Sequence, residues 1–185
     1  MPIVLDGTNG ITTPDLESSG PVLSNGITTS LYPLISGTAV TSTSGTSIDF
    51  TGIPSWVKRV TVMVAGVSTS GTSFTIIQIG SGSVDSSGYL STSGTVIAGT
   101  PIISTATNGF VFGAGASSDV RSGHIVLTQC SGNLWVESHS IKTSPGGASC
   151  GGGDKTLSGT LDRVRITTVN GTDTFDAGSI NILYE

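Results

Sequence analysis

The chain has 185 residues, of which 10% are charged, with a formal net charge of -5 and a mean hydropathy of +0.25. Average proteins carry about 25% charged residues, so these values exclude a coiled coil and a long-helix protein, and the hydropathy excludes ordinary charge-driven disorder. Ser and Thr together make up about three residues in ten and Gly accounts for 27, so hydroxyl groups must cover a surface that charges normally cover.

The seven Lys and Arg are scattered, and only Lys58 and Arg59 are adjacent. A surface that tracks phosphates needs clustered cations, so nucleic acid is not an expected partner. The opening MPIVLDGTNG has no cationic region before its apolar residues, and no run approaches the ~18 apolar residues of a membrane span. Neither an export signal nor membrane insertion is expected.

Residues 1–45 hold small apolar groups separated by Gly, Pro and hydroxyls: Ile3, Val4 and Leu5, then Ile11, Val22 with Leu23, Ile27, and Leu31 to Leu34. One copy of such a segment can hardly bury these groups. The pentapeptide NGITT occurs twice, at Asn9–Thr13 and Asn25–Thr29. Either composition produced the repeat by chance, or each copy presents a β-branched pair to neighbouring chains. The segment therefore reads as an extended arm that orders by pairing with other chains.

From about residue 46 the pattern is period two between turn residues, the mark of half-buried strands. A strand is expected near Thr46–Thr51. In VKRVTVMVAGV (57–67), Val60, Val62 and Val64 share one face. SFTIIQIG (73–80) sets Phe74 and Ile76 against Ile77 and Ile79, a strand covered on both sides. Strands follow at Tyr89–Ala98 and Gly109–Phe112, then at 123–130 and 133–140 around a hairpin at Ser131-Gly132. GGASCGGGD (146–154) reads as a flexible loop, since no helix follows it that would make a phosphate cradle. At the C-terminus Val164, Ile166 and Thr168 share a face, Asn170-Gly171 gives a strong turn signal, and Ile180, Ile182 and Tyr184 mark a last strand. Seven to nine short antiparallel strands predict an all-β sandwich of jelly-roll-like kind over 46–185, behind the arm of 1–45.

Little chemistry is visible. His124 and His139 have no ligand spacing, and Cys130 and Cys150 have no CxxC partner, so no cofactor or metal is expected. The two cysteines read as free thiols or as one bridge across the region 140–153. There is no GxSxG elbow, Walker loop or HExxH. Asp173 and Asp176, the closest acidic pair, stand three apart, so a strand would point them to opposite sides; they read as solvated turn acids. Trp135 and Tyr89 are the candidates for stacking on a sugar ring, against packing in the core or between subunits. Trp56, at the entry of a strong strand, reads as core or interface.

IVLDGTNGITTPDL (3–16) resembles the opening of tail fibre and virion appendage proteins of tailed bacteriophages. IDFTGIPSWVKRVTVMVAGVSTSGTSFTIIQIGSG (48–82) and LSGTLDRVRITTVNGTDTFDAGSINILYE (157–185) are similar to a C-terminal domain of such proteins. The resemblance implies a non-enzymatic virion protein, assembled in the host bacterial cytoplasm and placed on the phage tail. It implies a homo-oligomer, expected as a trimer, attached to other tail or collar proteins. Ile3, Val4, Leu5, Ile11, Val22, Leu23, Ile27 and Leu31 would make the anchoring and oligomer contacts. The competing expectations are a carbohydrate-binding module that reads a host surface glycan and a capsid decoration or head fibre. A polysaccharide depolymerase ranks last, because the resemblance carries no catalytic residues.

Overall fold

A computed structural model of the chain describes residues 22–24, 27–29, 34–113, 115–144 and 146–185. Two compact units divide it, Met1–Pro33 and Leu34–Glu185. In the first, β1 (Val22–Ser24) pairs antiparallel with β2 (Ile27–Thr29), the strand made by the second NGITT. Val22, Leu23 and Ile27 fall on this ribbon, whereas Ile3, Val4, Leu5, Ile11, Leu31 and the first NGITT lie outside the described residues.

The second unit is an antiparallel sandwich, and every regular element described in it is a strand. Its smaller sheet contains β5 (Ile48–Thr51), β7 (Thr75–Ser81), β8 (Ser83–Val84), β11 (Phe110–Phe112) and β15 (Arg163–Thr168). Their order is β11-β7-β15-β5, with β8 folded back on β7. The larger sheet contains β3 (Ile35–Ser36), β4 (Val40–Thr41), β6 (Arg59–Thr69), β9 (Leu90–Ile97), β10 (Thr100–Ala106), β12 (Arg121–Ser131), β13 (Leu134–Thr143), β14 (Gly147–Thr156) and β16 (Phe175–Tyr184). Its order is β10-β9-β14-β13-β12-β6-β16, with β3 and β4 both along the free side of β16.

The expected antiparallel sandwich is present, and the chain passes repeatedly between its two sheets, with β12, β13 and β14 running as a meander within one. The sandwich also begins at Leu34 rather than at 46. β3 pairs with Leu183 and Tyr184, β4 with Ser179 and Ile180, and the buried Ser42 donates its hydroxyl to Ala177 O at 2.7 Å.

Register explains the core. On the larger sheet Ile125, Val62 and Ile182 lie side by side across β12, β6 and β16, and on the smaller sheet Phe110, Ile77, Ile166 and Ile48 make the facing row. All are buried. At ~25 cal/mol per Å² of apolar surface, such rows supply most of the drive to fold. β7 is buried along both faces, as its sequence predicts: Ile77 and Ile79 point into the main core, while Ile76 packs with Val111, Ala106 and Phe74 on the other side.

GGASCGGGD is not a loop. It lies within β14, a central strand paired with β13 and with β9 along its length. Gly147, Gly151 and Gly153 are needed because neighbours fill the space that their side chains would take. A Cβ on Gly151 would lie 2.5 Å from His139 Cε1, and one on Gly153 would lie 3.0 Å from Phe110 Cδ1. Cys150, on this strand, and Cys130, at the end of β12, are free and exposed.

Candidate functional site

A cluster of polar side chains interrupts the hydrophobic interior. Beneath β9, β13 and β14 the inward positions include Ser91, Ser93 and Thr95, Glu137 and His139, and Ser149, beside the core residues Trp135 and Ile141 of β13. Glu137 and His139 are two residues apart, so on a strand they share a face. Across the sheet, His139 is level with Gly151 of β14, and Gly151 is level with Ser93 of β9. Strands lie ~4.8 Å apart, so His139 and Ser93 are separated by about twice that at the backbone, and an imidazole can bridge the gap only if the strand between them carries no side chain. Gly151 meets that condition.

The resulting contacts form a continuous array. Glu137 Oε1 lies 2.8 Å from His139 Nδ1, and His139 Nε2 lies 3.0 Å from Ser93 Oγ. Ser93 Oγ is 2.8 Å from Ser149 Oγ, which accepts from Thr95 Oγ1 at 2.9 Å and from the Gly113 amide at 3.2 Å. With Glu137 ionised, one proton order satisfies these contacts. Thr95 donates to Ser149, Ser149 to Ser93, Ser93 to the imidazole, and the imidazole to the carboxylate. Glu137 Oε2 has no hydrogen-bond partner among the described residues.

A serine, a histidine and a carboxylate in this order are the constellation of nucleophilic catalysis. Here, however, Ser93 is 0% exposed, His139 6% and Glu137 4%, so no substrate carbonyl reaches the hydroxyl. The hydroxyls instead seal a sheet edge. β11 is the last strand of the smaller sheet, and the amides of Val111 and Gly113 donate to Ser91 Oγ and Ser149 Oγ of the opposite sheet. Backbone donors that would otherwise be buried without partners are satisfied in this way.

A second buried polar group lies beside this array. Arg121 is fully buried; it donates to Asp119 O at 3.3 Å and pairs with the Asp119 carboxylate at 3.7 Å. Burial pushes the guanidinium below its usual range, against the opposing pull of Asp119 and Asp176.

The two rings that were candidates for stacking on a sugar, against packing in the core or between subunits, do not face solvent. Trp135 is 1% exposed and belongs to the main core, while its neighbour Val136 is 38% exposed. The alternation expected for this strand holds, with the tryptophan on its inner face. Tyr89 is 0% exposed and meets Phe110 edge-on at 4.9 Å. Its hydroxyl accepts from the Ile79 amide at 2.8 Å and lies within 3.1 Å of the Ile79 and Asp85 carbonyls, and burial raises its pKa above the usual phenol value. Tyr89 therefore pins the segment before β9 to β7. Trp56 is half-buried and packs against the core with its ring 6.0 Å from that of Tyr184.

The outer surface offers a polar depression of about 210 Å³ lined by Gln78, Asn108, Arg165, Thr167 and Asn170. Its polar groups are engaged with one another: Gln78 with Asn108 O, Asn108 with Val169 O, and Arg165 with Asp49 through two hydrogen bonds of 2.6 and 2.9 Å. Asp173 accepts from Asn170 Nδ2 at 2.7 Å and from the Ser73 amide at 2.9 Å, contacts that hold its carboxyl below the usual carboxylate range. Asp176 accepts from the Ser68 hydroxyl. Asp173 therefore fixes the turn that leads from β15 in one sheet to β16 in the other, while Asp176, within β16, ties that strand to β6. No group of three or more His, Cys, Asp or Glu among the described residues is placed to hold a metal ion.

The array escapes sequence reading because Ser93 meets His139 only through the strand order β13-β14-β9. The readable signals were Glu-x-His on a strand and a Gly-Gly-Gly run beside it. Compared with known protein families, curated proteins and solved structures, the chain matches none.

Proposed function

We propose that this protein is a non-enzymatic structural component of a tailed-bacteriophage virion, a tail fibre protein that acts in assembly and host attachment. One observation carries the reading. The stretches that resemble phage appendage domains, 48–82 and 157–185, lie far apart in sequence yet contain β5 to β7 and β15 to β16, which pair with one another. The resemblance thus falls on one contiguous part of the sandwich. A self-contained core in Leu34–Glu185, with a separate unit ahead of it, suits a module carried by an attachment segment. In this reading the apolar groups of residues 1–33 assemble with partner chains, and a trimer is the expected oligomer.

The test is deletion of residues 1–33. Virions assembled with the truncated chain should lack it by peptide mass spectrometry, while the truncated chain retains the melting transition of the whole protein. Normal incorporation would refute the anchoring role. The non-enzymatic part has its own check, in which a fluorophosphonate probe should leave Ser93 unlabelled in the folded protein.

A further inference from the structure

Sheet edges with free amides and carbonyls invite pairing with another chain, and proteins usually blunt them with charge, short length or a cover. Three of the four edges of this sandwich are treated in that way. β11 has its outward amides taken by Ser91 and Ser149. β5 is four residues long and carries Asp49, held by Arg165. β16 is overlaid by β3 and β4.

β10 is treated least: it has neither charge nor cover, and Pro101 alone, which lacks an amide, interrupts its row of donors. It runs for seven residues, TPIISTA, and pairs with β9 alone. It exposes Ile102 (36%) and Ile103 (70%). No Asp, Glu, Lys, Arg or His occurs between Asp85 and Asp119, so nothing along this edge repels a like surface. An antiparallel strand edge is self-complementary about a twofold axis normal to the sheet, since each residue i then faces its counterpart and every free donor meets an acceptor. A neutral, apolar edge whose donors are interrupted only at Pro101 suits an isologous contact through Ile102 to Ala106, whereas a charged partner would find no counter-charge there.

We infer that β10 is an interface between two copies of this chain, pairing antiparallel with β10 of the second copy and continuing the larger sheet through both sandwiches. The outward Ile103 lies on or beside the axis. This inference does not rest on the virion reading, and it is separate from any assembly made by residues 1–33. On a single chain the contact makes a dimer, and on a trimer it joins two trimers.

The experiment uses the full chain. Light scattering across a concentration series should show the wild-type mass rising twofold, and Ile103→Lys should abolish that doubling with the melting temperature kept within a few degrees, because the side chain is exposed. A second arm places one thiol at the edge, Ile103→Cys with Cys130→Ser and Cys150→Ser. A short thiol cross-linker should join its copies in pairs at least tenfold faster than the same background with Thr172→Cys, in the turn before β16. A wild-type mass that never doubles, a doubling that survives Ile103→Lys, or equal cross-linking at the two positions would each overturn the inference.

Discussion

The buried array makes its strongest prediction through paired substitutions at Glu137 and His139. Their ring-to-carboxylate contact is 2.8 Å with both side chains fully shielded from solvent. His139→Leu keeps the volume but removes the Nδ1 donor, and the second carboxylate oxygen already has no hydrogen-bond partner among the described residues. Leaving one member of a buried pair alone costs about 3–5 kcal/mol. For a domain of this size that corresponds to a fall of roughly 10 °C or more in melting temperature. Glu137→Leu should cost less, since it orphans a neutral N–H at about 1–3 kcal/mol. The double variant should be more stable than His139→Leu alone, because replacing both partners removes the uncompensated group. Urea titrations of the four proteins give the coupling energy, expected at about 2 kcal/mol or more. Effects that add to within about 0.5 kcal/mol would refute the account of the array as one interacting unit.

Tyr89→Phe should cost about 1–3 kcal/mol, because the Ile79 amide loses its acceptor while the ring keeps its packing. Because the folded chain holds the Tyr89 proton more tightly than the unfolded chain, it binds more protons above about pH 10, so stability should fall as pH rises beyond that point. Melting curves from pH 8 to 11 should show a shallower decline in the phenylalanine variant. Gly151→Ala should destabilise by about 1–3 kcal/mol, since its methyl would lie 2.3 Å from Thr92 O and 2.5 Å from His139 Cε1. Gly146→Ala, with nothing within 4 Å, should stay within about 0.5 kcal/mol by the same denaturant titration. Ala98 has φ 49° beside Gly99 at φ 83° in the two-residue turn from β9 to β10. Ala98→Asn supplies the residue such a turn prefers and should raise the melting temperature by roughly 2–4 °C, about 1 kcal/mol.

The strands readable from sequence were those whose own side chains report their surroundings. Val60, Val62 and Val64 alternate with Arg59, Thr61 and Met63 and point into the core, and the doubly apolar β7 is covered on both faces. β14 was unreadable because a glycine carries no mark of what lies above it. The side chains that fill its positions belong to His139 and Phe110 on other strands. β10 lacks the alternation of a half-buried strand because four of its first four positions are exposed. Trp135 shows the limit of periodicity, which separates two faces but does not say which one is inside. The turn at Asn170-Gly171 was visible, but its destination in the other sheet was not, because sheet membership is decided by packing rather than by the turn.

The apolar core and the polar cluster within it should respond differently to temperature. Transfer of hydrocarbon out of water weakens on cooling, and its exposure raises the heat capacity of unfolding, whereas exposure of polar groups lowers it. The end beneath β6, β12 and β16, filled by valine, leucine and isoleucine, therefore loses grip in the cold. The cluster of Ser93, Thr95, Ser149 and His139, joined by directional contacts, does not share that loss.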